Sequence, residues 1–190
     1  MTSNRPGDSR VARISLIGMM AAIVFVGNYL RIPFMDTKLT AANALCVHSG
    51  LLFGPGGGFL AAGIGSFLFD IVTGYGAESL ITFASKGAIG LIAGLVGCRA
   101  AHAGQYGRKE MAHVVCAAAL GAFAYVALYM LKTFVFGLTV NGLTLEATGL
   151  KMAAKLPGSV INAVFASVAG PVLFSALRPA LRHAGLFDLG

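Results

Sequence analysis

The chain has 190 residues, 57% of them hydrophobic and only 11% charged, with a mean hydropathy of +0.81. A soluble domain carries about 25% charged residues, so this composition excludes a water-soluble enzyme or binding module and specifies an integral membrane protein. The net charge of +7 does not point to nucleic acid, because Lys and Arg are divided among the ends of apolar runs rather than gathered in a patch.

A helix that crosses a bilayer needs about 20 mainly apolar residues. The segment Met1–Arg10 is polar and lacks the apolar core of a signal peptide, so the first run, about Val11 to Leu30, is expected to be a retained helix. Ile32 to Ala41 is expected to be a loop: Pro33 breaks the helix, and Asp36, Thr37 and Lys38 are polar. Ala42 to Phe53 is apolar but short for a perpendicular span. Gly54-Pro55-Gly56-Gly57-Gly58 then predicts a tight turn into a third helix, Phe59 to about Val72. In that helix Ala61, Ala62, Gly63, Gly65 and Ser66 let neighbouring backbones approach closely. Thr73-Gly74-Tyr75-Gly76 ends it. A fourth helix, Leu80 to Cys98, repeats the small-residue pattern at Gly87, Gly90, Gly94 and Gly97. After a polar connection, Arg99 to Glu110, a fifth helix covers Met111 to about Phe136. Gly137 to Gly149 is expected to be a longer loop, and a sixth helix runs from near Leu150 to near Leu177.

The fold class is therefore all-α, a bundle of six transmembrane helices over residues 11–177. It lies between an N-terminal segment, residues 1–10, and a tail, residues 178–190. Six crossings place both termini on one side, together with Arg5, Arg10, Arg13, Arg99, Arg108, Lys109, Arg178 and Arg182. Excess Lys and Arg mark the cytoplasm, so the loops 32–41, 73–79 and 137–149 are expected to face outward.

On this topology the unusual polar residues fall at one depth. Asn43, Asp70, Lys86, Tyr129, Lys132, Lys155 and Asn162 all lie towards the outer ends of their helices. A charge buried alone in lipid costs about 2.5–3.5 kcal/mol on insertion scales, so these groups are expected to face a polar cavity beneath the outer loops. Bland alternatives stand beside this reading. Asp70 and Lys86 can form a structural pair, Lys132, Lys151 and Lys155 can snorkel to headgroups, and Asn43 and Asn162 can be interhelical donors. Tyr125 and Tyr129, one turn apart, suit packing or stacking on a flat ring.

Catalytic readings find little support. His48 and Ser49 are adjacent on a helix and point about 100° apart, so one cannot easily serve the other as base. Ser66 lies among small residues and reads as packing, and His48 reads as a core histidine. Cys46, Cys98 and Cys116 have no metal or disulfide spacing, and no phosphate loop or HExxH is present. No metal, cofactor or ATPase activity is expected of the chain itself.

The run Leu51-Leu-Phe-Gly-Pro-Gly-Gly-Gly-Phe-Leu-Ala-Ala-Gly-Ile-Gly-Ser-Phe-Leu-Phe-Asp70, followed by Gly74-Tyr75 and Thr82-Phe-Ala-Ser-Lys86-Gly87, resembles the substrate-binding S components of energy-coupling factor (ECF) transporters. The likeness covers about Ile14 to Leu177 and is closest to the riboflavin-transporter-like branch. It implies a bundle that captures a vitamin or related micronutrient, associates with a membrane coupling subunit and two cytoplasmic ATPases, and topples in the membrane to deliver its substrate. It adds Tyr75 to the candidate contacts and makes Gly18 and Ala22, spaced by four on helix one, a docking face for the coupling subunit. The family form is alanine at both positions, and Gly18 departs from it. The same two residues also suit an internal helix contact. Competing classes are a self-sufficient secondary transporter or channel working through Asp70 and Lys86, and a scaffold protein without a ligand. No inverted repeat favours the transporter. Flat heteroaromatic vitamins suit the tyrosines, and the lysines suit an anionic group.

Overall fold

In the computed structural model, residues 6–34, 37–104 and 107–183 are described. Arg5, Asp36 and parts of the two terminal segments lie outside these residues. Five long helices carry the chain: α1 Pro6–Gly27, α2 Ala42–Val72, α3 Ser79–Ala101, α4 Arg108–Thr139 and α5 Leu145–His183. Each contains a stretch long and apolar enough to cross a membrane. Burial is distributed as a bilayer demands. Leu80, Ile14 and Leu150 on the outside are about seven-tenths exposed or more, at 72%, 70% and 78%, whereas Lys86 inside is 6% exposed. Lipid solvates the apolar exterior, so polar groups must find partners within the bundle.

α2 is not one straight rod. Gly54 sits at φ 72° and ψ −171°, a left-handed conformation open mainly to glycine. Pro55 follows as the first residue of the next arm, where its missing N–H removes no helical bond. Beyond the break the chain reverses: Ser49 Oγ lies 3.3 Å from the carbonyl oxygen of Gly58. Nine residues along an uninterrupted helix span about 13.5 Å. The reversal is thus tighter than the five-residue turn read from the sequence, and α2 is a hairpin of two arms, residues 42–53 and 55–72. The first arm is about 18 Å long, well short of a hydrocarbon core of about 30 Å.

Glycine brings three backbones together at this hairpin. A Cβ on Gly58 would lie 2.5 Å from Gly50 Cα, and one on Gly90 of α3 would lie 2.3 Å from the Gly58 carbonyl oxygen. One on Gly94 would meet the Gly54 carbonyl carbon at 2.5 Å. No side chain separates the two arms from α3 at these points.

The segment expected to be a loop after α1 is instead a two-stranded antiparallel ribbon, β1 Arg31–Phe34 and β2 Thr37–Thr40. Arg31 is opposite Thr40, and Pro33 is opposite Lys38. Pro33 is tolerated because strands of such a ribbon are edges. The expected loop 137–149 is also corrected, since α4 continues to Thr139 and α5 begins at Leu145. Thr144 caps α5, its Oγ1 accepting from the Ala147 N–H at 3.3 Å, as N-cap threonines do. A 3₁₀ turn, Gly76–Glu78, leads into α3.

At the opposite end, arginines tie the helices together. Arg178 of α5 donates to the carbonyls of Ala101 at the end of α3 and of Ala103 just beyond it, Arg182 donates to Gly104, and Arg13 donates to Phe53.

Gly90→Ala should lower stability by about 1–3 kcal/mol, the usual cost of overpacking, because the backbone it meets has no side chain to move. Gly18→Ala, with nothing within 4 Å of its added carbon, should leave the melting temperature in detergent unchanged. Circular dichroism melts of the two variants check the contrast.

Candidate functional site

Because the first arm of α2 is only twelve residues long, the end of the bundle beyond Ala42, away from the Gly54 reversal, holds no helix from that arm. A cavity of about 380 Å³ occupies this level. The end of α1 and the ribbon supply Asn28, Arg31, Lys38 and Thr40 to its wall. The two arms of α2 supply Asn43, Phe69 and Asp70, and Tyr75 and Glu78 come from the connection to α3. Thr82, Ser85 and Lys86 descend from α3, Tyr125, Tyr129 and Lys132 from α4, and Lys155, Ser159 and Asn162 from α5.

All eight contact residues read from the sequence therefore meet: Asn43, Asp70, Tyr75, Lys86, Tyr129, Lys132, Lys155 and Asn162. Asn43 and Lys86 are buried and bonded to each other, the ammonium donating to Asn43 Oδ1. Among the described residues, Lys132 pairs with Glu78, while Asp70 and Lys86 are not within ion-pair distance. The charges of Lys132 and Lys86 still act on Asp70, which has Thr82 beside it.

The aromatic side chains are arranged around the cations. Tyr125 and Tyr129 stack with centroids 5.9 Å apart and planes 23° apart. Lys86 Nζ lies over the Tyr125 ring at 5.2 Å and Lys155 Nζ over Tyr129 at 5.5 Å. Lys38 stands over Tyr75 at 5.7 Å, Arg31 over Phe69 at 5.3 Å, and Lys132 over Phe136 at 5.9 Å. A ring face attracts a cation most when water is excluded, which favours the buried Lys86 over Tyr125 more than Lys38 over the half-exposed Tyr75.

Asn162 has a different primary task from the one its sequence context suggested. Its Oδ1 accepts from the Thr40 N–H at 3.0 Å, and its Nδ2 donates to the Lys38 carbonyl at 2.7 Å. The amide thus completes β2 as a third strand would, and fastens the ribbon to α5. Thr40 Oγ1, also on the wall, is buried and has no hydrogen-bond partner among the described residues. Such a hydroxyl is costly to leave unpaired, and it suits a polar group entering the cavity. Asn28, Arg31, Thr40, Phe69, Glu78, Thr82, Ser85 and Ser159 also line the cavity and were not read from the sequence as contacts; Arg31 and Thr40 reach it through the ribbon, and the hydroxyls of Thr82, Ser85 and Ser159 are too common in apolar helices to mark a site.

His48 is buried away from this site beside Phe174, centroids 5.9 Å apart, and among the described residues no group of His, Cys, Asp or Glu can hold a metal. Gly18 and Ala22 are both exposed on the outer face of α1. Among the described residues nothing lies within 4 Å of a Cβ added to Gly18.

A profile of the S component of ECF-type riboflavin transporters matches residues 9–179. The chain belongs to this family. The S component also shares its fold with a solved structure described as the S component of a bacterial ECF transporter. The TM-score is 0.69 at 16% sequence identity, covering 90% of this chain and 98% of the other. No curated protein matches the sequence. S components are membrane subunits that bind substrate and are not themselves enzymes, and this one is a multi-pass membrane protein.

Asn162→Ala should release the ribbon while leaving the helices packed. Hydrogen exchange at residues 37–40 should accelerate about tenfold or more, as loss of roughly 1.5 kcal/mol or more of paired hydrogen bonds requires, with α3 unchanged.

Proposed function

We propose that this S component captures a water-soluble vitamin or related micronutrient from outside the cell and delivers it inward with a coupling subunit and two ATPases. The observation that carries this reading is the convergence of polar side chains from α2, α3, α4 and α5, and from the segment that follows α1, on one cavity beside a small ribbon, within an otherwise apolar bundle. Asn43, Asp70, Tyr75, Lys86, Tyr129, Lys132 and Lys155 serve as contacts, and Asn162 holds the ribbon over them. Removal of water beneath the ribbon strengthens each contact.

The two arms of α2 count as separate crossings in this reading, giving six, with both termini in the cytoplasm. The arginines at the end opposite the cavity support that orientation. The open Gly18–Ala22 face of α1 serves the coupling subunit, since small residues let a partner helix approach closely. Work for inward release comes from ATP hydrolysis in the partner subunits, because the chain has no phosphate loop of its own.

Purified protein is expected to carry a small molecule through purification and to release it on denaturation, as seen by mass spectrometry. Vesicles holding this chain alone should show no concentrative uptake of that molecule, and ATP-dependent uptake should need the coupling module. Gly18→Leu with Ala22→Leu should abolish co-purification with the coupling subunit while leaving ligand affinity within about twofold, since neither residue borders the cavity. Absence of any bound or binding small molecule would sink the capture role, and concentrative uptake by the chain alone would favour a secondary transporter.

A further inference from the structure

The charge of the cavity carries an inference about its substrate, resting on the capture role above. Among the described residues five cations line it, Arg31, Lys38, Lys86, Lys132 and Lys155, against two carboxylates, Asp70 and Glu78, a surplus of three positive charges. Glu78 is taken up by Lys132. Lys86 is bonded to Asn43 and lies in the field of Asp70. Among the described residues, the cations with no carboxylate beside them are Arg31 and Lys38 on the ribbon and Lys155 on α5. Their partners are ring faces, at 5.3, 5.7 and 5.5 Å. A neutral solute gives such an array nothing to neutralise it, and a partly enclosed cleft of one sign concentrates the opposite charge.

Two further features agree. Lys38 and Lys155 border one junction, because Asn162, two turns beyond Lys155 on α5, holds the Lys38 carbonyl. In addition α2 begins at the cavity floor with no side-chain cap on Ala41, so the positive end of its first arm is turned to the same space.

We infer that the substrate is an anion: a flat ring bearing a carboxylate or a phosphate ester, its ring against Tyr125 and Tyr129 and its charge between Arg31, Lys38 and Lys155. Binding draws the three cations from their rings to the anionic group, which ties the ribbon to α5 through the substrate as well as through Asn162. A neutral vitamin of the riboflavin type fills the ring position but leaves the cations uncompensated.

The full chain in detergent is titrated with pairs of probes that share a ring and differ in charge: riboflavin 5′-phosphate and riboflavin, pyridoxal 5′-phosphate and pyridoxal, nicotinate and nicotinamide. The expected result is that the anionic member of any pair that binds does so at least about tenfold more tightly, as one charge-assisted contact provides. That preference should shrink in high salt, and shrink again in Lys155→Gln and Arg31→Gln variants whose melting temperatures are unchanged. Equal or tighter binding of the neutral member, or a preference untouched in both variants, overturns the inference and leaves the capture role standing. If no probe binds, mass spectrometry of the molecule carried through purification decides: a ring with a carboxylate or phosphate supports the inference, and a neutral compound overturns it. No probe binding and no molecule carried overturns the capture role itself.

Discussion

Bare backbone against bare backbone is the contact on which the rest of this molecule depends. Gly50, Gly58 and Gly90 allow the two arms of α2 and α3 to meet without intervening side chains. In a membrane, where lipid tails are as apolar as the helices, close packing of this kind replaces the hydrophobic drive for association. The tight seam has a geometric result. Side chains are absent where the arms cross, and the bulk of the bundle is moved to the level above, where Lys86, Tyr125 and Asn43 face one another. A larger residue at the seam would alter the cavity floor as well as the stability.

Above the seam the problem is electrostatic. Several ammonium groups and a guanidinium lie within a bundle whose exterior faces lipid, and an isolated charge there is costly. The chain meets this cost with local partners for each group: Asn43 for Lys86, Glu78 for Lys132, and ring faces for Arg31, Lys38 and Lys155. Rings hold a cation loosely compared with a carboxylate, so these three groups are less firmly committed than Lys132 is to Glu78. The ribbon belongs to the same arrangement. A two-stranded ribbon is marginal by itself, and the Asn162 amide gives β2 the hydrogen-bonding neighbour it lacks.

Much of the site was legible because apolar runs make polar exceptions conspicuous. Lys86 between Ser85 and Gly87, Asp70 at the end of the Gly-rich arm, and Lys155 ahead of Pro157 each break a pattern whose violation is costly. The break at Gly54-Pro55 was legible for a similar reason, although its sharpness was not. What remained hidden depended on tertiary contacts. Arg31 to Thr40 reads as an ordinary polar loop, and only the amide of Asn162, more than a hundred residues away, completes it as a ribbon. The same distance disguised Asn162, whose amide serves the ribbon backbone before any ligand. The start of α5 was placed too late because Thr144 was read as loop polarity rather than as a cap.

The short first arm of α2 also sets a thickness. Its twelve residues separate the cavity floor from the Gly54 reversal by about 18 Å, well under the roughly 30 Å of a hydrocarbon core. Along that arm, the protein between the cavity and the opposite end of the bundle is thinner than a full membrane-crossing helix.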